Sequence, residues 1–280
     1  MKHALRVVVA GIAGLLAVAA AVTVGLLAAP RAVRYEVPVV LREGWTMYEH
    51  AAALEAAGVV PAQAFLAACT DPVFVRSLGV PADDAEGFLF PDTYRFFVPT
   101  PAPTVVRRLV DNFAAKTAGW FREHRGEVDR AGRRFERDGR EVVVTLASLI
   151  EAEAAVDRDR PLIASVLSNR LDGKDPAVAR LEVDPTAVYG CLRLPWLASC
   201  RGARGRAPTR RMLDDGANPY NTYRHDGPPP GPIGNPGLSS LRAVLEHPDT
   251  DYLFYVARGD GSHTFSRTYD EHRRAVAGGP

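Results

Sequence analysis

A run of 23 residues without a charged side chain, from Val7 to Ala29, constrains this chain more than any other feature of its sequence. At about 1.5 Å per residue, a helix of this length spans a hydrocarbon core of roughly 30 Å. A cleavable signal peptide is the alternative, but the apolar region of such signals usually has only about 7–15 residues. We therefore expect residues 1–6 to be a cytoplasmic tail and residues 7–29 to be an uncleaved, single transmembrane anchor.

The composition of the whole chain allows a large folded region, and its small net charge produces no strong electrostatic field. The 280 residues are 47% hydrophobic and 24% charged, and the formal net charge is +1. This is enough for one large domain or two smaller ones, and it gives no reason to expect nucleic acid as a partner. The sequence has no metal-ligand spacing, no phosphate-binding glycine loop and no Ser–His–Asp order, so we expect neither a metal nor a cofactor.

The chain after the predicted anchor divides into two parts by its hydrophobic pattern. Residues 35–80 have the pattern of a short strand followed by two helices, which suits a small binding module and equally a spacer. Residues 82–280 combine a long amphipathic helix, further helices, loops rich in Pro and Gly, and short strands near the end of the chain. This mixture predicts an α+β fold, with a small α/β module followed by a larger mixed α+β domain.

The segment "TLASLIEAEAAV", residues 145–156, has the composition of a buried helix but carries two carboxylates, Glu151 and Glu153. On a helix, the neighbours of Glu151 three and four positions away are all small: Ala147, Ser148, Ala154 and Ala155. We therefore expect open space above the Glu151 carboxylate, as a substrate groove needs. Glu153 points about 200° away beside bulkier side chains, where we expect it to pack or to be held by a hydrogen bond.

Two interpretations of Glu151 follow from its chemistry alone. A glutamate with space above it can protonate a leaving oxygen and afterwards take a proton back. The alternative is a structural helix glutamate, favoured by the helix dipole or paired with a distant arginine.

Six segments carry a resemblance to a known family. They are "EGFLFPDTYRF" (86–96), "LASLIEAEA" (146–154), "ASVLSNRL" (164–171), "DPTAVYG" (184–190), "YNTYRHDGPPPGPIGNPG" (220–237) and "HTFSRTYDEH" (263–272). In this order and at this spacing they resemble the YceG-like family of endolytic murein transglycosylases, and the resemblance covers about residues 35–275. The chain departs from the family pattern at "LEVDPT" (181–186), at Pro228, and in a cysteine-containing loop that looks like an insertion.

The resemblance implies a single-pass protein of the cell inner membrane, with a LysM-like module over residues 35–80 and a transglycosylase catalytic domain over residues 82–280 in the periplasm. The LysM-like module is shortened, since only "EGWTMYEHAAALEAAGVV" is easily recognised. The implied activity is cleavage of the bond between N-acetylmuramic acid and N-acetylglucosamine inside nascent glycan strands, which leaves 1,6-anhydro ends. The implied partners are peptidoglycan glycan strands and peptidoglycan synthases.

The resemblance also assigns roles to the two glutamates. The first Glu of the family's "ASxxExE" segment, here Glu151, is the catalytic residue, and Glu153 takes a supporting role. One carboxylate suffices, because the 6-hydroxyl of the muramic acid is itself the nucleophile and intramolecular attack is favoured. Two alternatives remain open: a hydrolytic muramidase that uses Glu151 with Asp184, and a wall-binding scaffold without turnover.

Further candidates for substrate binding each have a structural alternative. The polar-aromatic run Tyr220, Asn221, Thr222 and Tyr223 suits sugar faces and hydroxyls, or forms a structural turn. Asp184, before a proline, is expected in an Asx-type turn and is the best second carboxylate.

Candidates on helices and strands have similar alternatives. Asn169 can bind an acetamido group or cap its helix, and Arg170 can bind a substrate carboxylate or pair with a glutamate. His263 and Phe265 alternate with Thr264 on a short strand, so they share a face that lines the site or packs in the core. Ser148 and Thr186 belong to the same matching segments and are included as supporting residues.

Cysteine usage predicts one covalent link. Cys191 and Cys200 lie nine positions apart in a single loop, and outside the cytoplasm such a pair can form a disulfide; the alternative is two unrelated thiols. Cys69 is expected to be a buried helix residue.

Overall fold

The computed structural model describes residues 35–202 and 207–278 of the chain. The predicted tail and anchor, residues 1–29, lie outside this part. None of the helices within it has the length and apolar character that crossing a membrane requires. Glu36–Pro280 form one compact unit.

The described chain is a mixed α+β fold that is mostly helical, which confirms the predicted class. Its helices are α1 Met47–Ala56, α2 Ala62–Cys69, α3 Pro72–Ser77, α4 Ala102–Glu123, α5 Arg125–Phe135, α6 Gly139–Glu153, α7 Arg160–Leu171, α8 Asp184–Arg193, α9 Arg210–Leu213, α10 Leu238–Glu246 and α11 Tyr269–Ala277. Its strands are β1 Tyr35–Leu41, β2 Asp92–Val98, β3 Phe254–Ala257 and β4 His263–Ser266. Within the described residues they pair as β1 with β2 and as β3 with β4.

The N-terminal part of the compact unit follows the strand–helix–helix order predicted for residues 35–80. Helix α1 begins with a capping box, in which the Thr46 hydroxyl accepts from the Glu49 backbone N–H and the Glu49 carboxylate accepts from the Thr46 backbone N–H. Gly58 has a φ of +71°, a left-handed conformation that suits glycine after a helix. The short helix α3 and the pairing of β1 with β2 were not predicted.

One hydrophobic core extends from this N-terminal part into the long helix α4. The buried face of α4 includes Val105, Leu109 and Phe113, as its amphipathic pattern predicts. The Phe88 ring packs against the Phe113 ring at a centroid distance of 5.1 Å. The same cluster of buried side chains reaches Ala147 on α6, so this core directly supports the helix that carries the two glutamates.

Residues 126–140 are a polar stretch in the sequence, and most of them form α5. The apolar edge of this helix is narrow, and its buried residues are Val128 and Gly132. A side-chain carbon added at Gly132 would lie 2.9 Å from the backbone oxygen of Arg137, so close packing here requires glycine. Two small contact positions are too weak a periodic signal to predict a helix from sequence.

A second core holds the C-terminal half of α6 against α7 and α10. Its buried members include Leu149, Ile163 and Leu167. The β3–β4 hairpin is antiparallel, with Tyr255 opposite Phe265 and Ala257 opposite His263. A hydrogen bond links this hairpin to the C-terminal end of α6, which positions the site described next.

Candidate active site

Glu151 does not have the open space that its small helical neighbours predicted, so that expectation is wrong. Its Oε1 lies 2.7 Å from Arg160 Nη2, and the two side chains are 6% and 8% exposed. Its Oε2 accepts from the Ser240 hydroxyl at 2.8 Å and from the Gly237 backbone N–H at 3.0 Å. Groups from the start of α7 and from around the start of α10 fill the space that the small residues of α6 leave open.

Arg160 completes this buried network. Its Nε donates to Ser240 Oγ at 2.9 Å, and its Nη1 donates to Asp157. The nearby Glu43 carboxyl has a raised pKa because of burial and because of the negative charge of Glu151. The Glu151 carboxylate thus joins three parts of the fold through an ion pair and two hydrogen bonds.

Glu153, two residues further along, has fewer hydrogen-bond partners than Glu151 among the described residues. Its Oε2 accepts from the Tyr255 hydroxyl at 3.0 Å, so the predicted hydrogen bond is present. No group in residues 35–202 or 207–278 donates to Oε1, and this oxygen is not among the fully buried atoms that lack a partner. Oε1 is therefore accessible to solvent while the rest of the side chain is largely buried.

The surroundings of Glu153 raise its pKa to about 7. Burial is the largest cause, and the negative charge of Asp184 adds to it. The Tyr255 hydrogen bond and the positive charge of Arg170 act in the opposite direction. A carboxyl group with this pKa is partly protonated near neutral pH, which is the requirement for a general acid that later acts as a base.

The negative charge of Asp184 acts on Glu153. Asp184 does not lie in the predicted Asx-type turn. It is the first residue of α8, where a negative charge is favourable near the helix N-terminus. Its Oδ1 accepts from the Tyr223 hydroxyl at 2.7 Å. Burial, Asp184 and Glu153 all raise the pKa of Tyr223, so this tyrosine keeps its proton and remains a donor.

Of the run 220–223, Tyr223 is the residue that reaches the carboxylates. Asn221 is fully buried, and its Nδ2 donates to three backbone oxygens between 2.8 and 3.1 Å away. Thr222 is also buried and accepts from the Val183 backbone N–H. The Tyr220 ring packs edge-on against Tyr189 at 5.0 Å. The structural-turn interpretation therefore holds for Asn221 and Thr222.

Four more candidates, Ser148, Thr186, Asn169 and Arg170, have hydrogen-bond partners within the protein. The Ser148 hydroxyl donates to the Thr145 backbone oxygen and accepts from the Ile233 N–H. Thr186 is fully buried against Thr222.

Asn169 and Arg170 hold the chain around β3. Asn169 Nδ2 donates to the backbone oxygens of Thr250 and Tyr252, so this amide links α7 to the segment before β3. Arg170 donates to three backbone oxygens and to Glu182, so the predicted pairing with a glutamate is present. Its charge still acts on Glu153.

His263 and Phe265 lie behind Tyr255 on the paired strand. The His263 ring is nearly perpendicular to the Tyr255 ring, with centroids 5.4 Å apart, and Phe265 contacts both rings. His263 Nδ1 lies 3.0 Å from Asp159 Oδ2. These two strand residues share a face, as predicted, and that face supports Tyr255.

Sequence reasoning missed several residues of this region, among them Tyr255, Asp159 and Arg160. Alternation along "YLFYVAR" places Tyr255 on one face of β3, but nothing local indicates that this face meets α6. Asp159 and Arg160 belong to the charged run "DRDR", which has the appearance of an exposed turn in the sequence.

The model of the YceG-like family matches residues 17–278, and the chain belongs to this family. It is 35% identical over 209 residues to an endolytic murein transglycosylase of Bacillus subtilis (strain 168), covering 74% of this chain and 50% of the relative. It is 26% identical over 233 residues to an endolytic murein transglycosylase of Streptococcus pneumoniae serotype 2 (strain D39 / NCTC 7466), covering 77% of this chain and 39% of the relative. The chain thus spans half or less of the length of these relatives.

A solved structure supports the fold. The chain is similar to the 2.6 Å crystal structure of a YceG-like protein from Listeria monocytogenes, with a TM-score of 0.69 and 29% sequence identity. The match covers 85% of this chain and 75% of the Listeria chain.

Proposed function

We propose that this protein is an endolytic lytic transglycosylase that cleaves peptidoglycan strands between N-acetylmuramic acid and N-acetylglucosamine. Family membership and the activity named for the relatives support this proposal. The observation on the site that carries it is Glu153, a largely buried carboxyl group with a pKa of about 7 and one accessible oxygen.

Glu153, rather than Glu151, is the proton donor and acceptor in this proposal. Neutral Glu153 donates its proton to the glycosidic oxygen as the bond between that oxygen and C1 of the muramic acid breaks. The resulting carboxylate takes the proton of the 6-hydroxyl while O6 bonds to C1. The product is a 1,6-anhydro ring, no water is consumed, and Glu153 returns to its neutral form.

The surrounding groups fit this exchange. Tyr255 and Arg170 stabilise the carboxylate formed after the first proton transfer, while burial and Asp184 favour the protonated form before it. A pKa close to the working pH balances the two transfers, since one group must both give and take the proton. The closing attack is intramolecular and therefore benefits from a large effective concentration.

The same proposal includes the place of the protein in the cell. Residues 7–29 anchor the chain in the inner membrane, and residues 35–280 face the periplasm. The substrate there is nascent glycan, and the partners are peptidoglycan synthases that produce it. Cleavage inside a growing strand ends its elongation.

Hydrolysis is the second candidate, because Asp184 lies close enough to raise the pKa of Glu153. In that reaction Asp184 acts as the base or the nucleophile, and water enters the product. A wall-binding scaffold without turnover is the third candidate.

Digestion of purified glycan strands by the full-length protein in detergent, with mass spectrometry of the strand ends, decides among these functions. We expect 1,6-anhydro ends. Ends heavier by the mass of one water, about 18 Da, establish hydrolysis. Unchanged strands under conditions where the protein is folded establish the scaffold. The matched variants Glu153→Gln and Glu151→Gln assign the residue.

A further inference from the structure

A line of buried side chains leads from the β3–β4 hairpin to Glu153. Tyr255 donates to Glu153 Oε2 at 3.0 Å, and its ring packs at 5.4 Å against His263 with an interplanar angle of 88°. His263 Nδ1 lies 3.0 Å from Asp159 Oδ2, and the two side chains are 7% and 6% exposed. A buried histidine–aspartate pair this close to the proposed acid has no part in the reaction described above.

The pair fixes the strand as well as the ring. Asp159 Oδ2 also accepts from the His263 backbone N–H at 2.7 Å, so one oxygen holds both the main chain and the side chain of this residue. Strand β4 is thereby held at Asp159, and its register with β3 places Tyr255 opposite Phe265. The Tyr255 ring is confined between His263 and Phe265, which restricts its hydroxyl to the position beside Glu153.

We propose that Tyr255 is a positioning residue for Glu153, and that Asp159 and His263 hold it in place. The inference rests on the proposed function, because it concerns the proton that Glu153 transfers. A hydroxyl that donates to Oε2 leaves the acidic proton on Oε1, the oxygen that is open to solvent. Once the proton has left, the same hydrogen bond stabilises the carboxylate.

The charged and titratable groups around Glu153 come from several elements, and they act in different directions. Asp184 on α8 raises its pKa, whereas Tyr255 on β3 and Arg170 on α7 lower it. Tyr223 acts through its hydrogen bond to Asp184. Loss of the Tyr255 hydroxyl removes a donor to the charged form, so the pKa of Glu153 should rise further.

The test uses Tyr255→Phe in the full-length protein, with Tyr252→Phe as the matched control. The Tyr252 hydroxyl makes no hydrogen bond within residues 35–202 and 207–278, although its ring also contacts Phe265. Titration of the Glu153 carboxyl carbon by NMR, assigned with Glu153→Gln, measures the pKa without any need for turnover. We expect the midpoint to move up by about one pH unit or more in Tyr255→Phe and to stay unchanged in the control.

The pH profile of turnover should show the same shift. Activity falls as Glu153 loses its proton, so the alkaline limb moves to higher pH in Tyr255→Phe. His263→Phe is the second variant; it keeps an aromatic ring and the backbone N–H that donates to Asp159 but removes the side-chain contact with Asp159. It should shift the limb in the same direction by less. An unchanged titration midpoint in both variants overturns the inference, even if Glu153→Gln is inactive. An active Glu153→Gln protein instead overturns Glu153 as the proton donor, whereas hydrolytic ends or uncut strands overturn the proposed function. The titration decides the role of Tyr255 in each case.

Discussion

Arg160 Nη2 lies 2.7 Å from Glu151 Oε1, and this ion pair is more than nine-tenths buried on both sides. It joins the C-terminal part of α6 to the start of α7, and Ser240 ties α10 to both partners. A buried charge that loses its partner is strongly destabilising, because its desolvation is then uncompensated. We interpret Glu151 as a residue that holds these helices together beside the site.

Glu151→Gln should therefore reduce the stability of the protein. The amide can accept from Arg160 but presents an NH₂ group to the donors Ser240 and Gly237. Because Asp157 still pairs with Arg160, we expect a loss near the lower end of the roughly 3–5 kcal/mol seen for broken buried pairs. Urea denaturation measures the change. Arg158→Gln, which alters an exposed neighbour, is the control and should change stability little. A fully stable but inactive Glu151→Gln protein would return the catalytic role to Glu151.

Glu153→Gln should lower turnover by about 10²–10⁴-fold, since the amide can neither give nor take the proton. Its effect on stability has the opposite sign to that of Glu151→Gln. The raised pKa of about 7 means that folding favours neutral Glu153, and this contribution is lost as pH rises through that value. At pH 8 the uncharged glutamine should therefore leave the melting temperature unchanged or raise it. Parallel turnover and calorimetry on both variants provide the comparison. Turnover near that of the unsubstituted protein would exclude Glu153.

The helix that carries both candidate glutamates was predictable from the sequence, but the different surroundings of the two carboxylates were not. Residues 145–156 were predicted to be helical, and both carboxylates do lie on α6, but this helix ends at Glu153, so Ala154 and Ala155 are not helical neighbours of Glu151. Helical spacing then described only neighbours on the same helix, which are small around Glu151. The partners that distinguish the two carboxylates lie far away in the sequence. Ser240 lies 89 positions from Glu151, and Tyr255 lies 102 positions from Glu153.

Long, regular elements were predictable because their buried side chains recur at a regular spacing. The amphipathic face of α4 and the strand 35–41 each bury a periodic set of side chains, so their patterns are visible locally. Helix α5 buries little more than Val128 and Gly132, and its position depends on contacts with the backbone around Gly139. Such contacts are properties of the folded chain and leave almost no periodic signal.

Asp184→Asn should separate lytic cleavage from hydrolysis. The negative charge of Asp184 raises the pKa of Glu153, so its removal should move the alkaline limb of the pH profile to lower pH, opposite to Tyr255→Phe. In the lytic mechanism the product strands keep their 1,6-anhydro ends, and turnover persists at pH values below the shifted alkaline limb. In the hydrolytic mechanism Asp184 is essential and turnover is lost. Tyr223→Phe keeps the carboxylate and removes its donor, so it controls for disruption of the pair.

Cys191 and Cys200 are joined by a disulfide in the structure, with Cα atoms 5.3 Å apart. Closing a loop of this size should stabilise the protein by about 2–3 kcal/mol relative to the reduced form. Denaturation with and without reductant measures this difference. In the folded protein, both cysteines should resist thiol reagents until they are reduced. Cys69 is fully buried and should react only on unfolding, so it serves as the internal control. Equal stability of the oxidised and reduced proteins would contradict this expectation.

Glu86 should make stability depend on pH above the range where Glu153 titrates. Its carboxylate accepts from the Met47 backbone N–H at 2.9 Å, from Asn235 Nδ2 at 2.7 Å and from the Tyr189 hydroxyl at 3.0 Å. Burial nevertheless raises its pKa to about 8. A group whose pKa rises on folding stabilises the protein fully below its unfolded pKa, and this stabilisation is lost as pH increases through the folded value.

The unfolding free energy should therefore decrease as pH increases between about 4.5 and 8, with Glu153 contributing up to about 7 and Glu86 contributing over the whole interval, so that above about 7 the contribution of Glu86 remains. Glu86→Gln should be less stable than the unsubstituted protein at pH 5, because its amide NH₂ faces groups that are themselves donors. Between pH 7 and 9 its stability should change less, since the titrating carboxyl is gone. Glu153→Gln is the matched control, because it should keep the slope above pH 7. Urea denaturation across this pH range measures both variants. Equal slopes above pH 7 in Glu86→Gln and the unsubstituted protein would show that Glu86 does not titrate there.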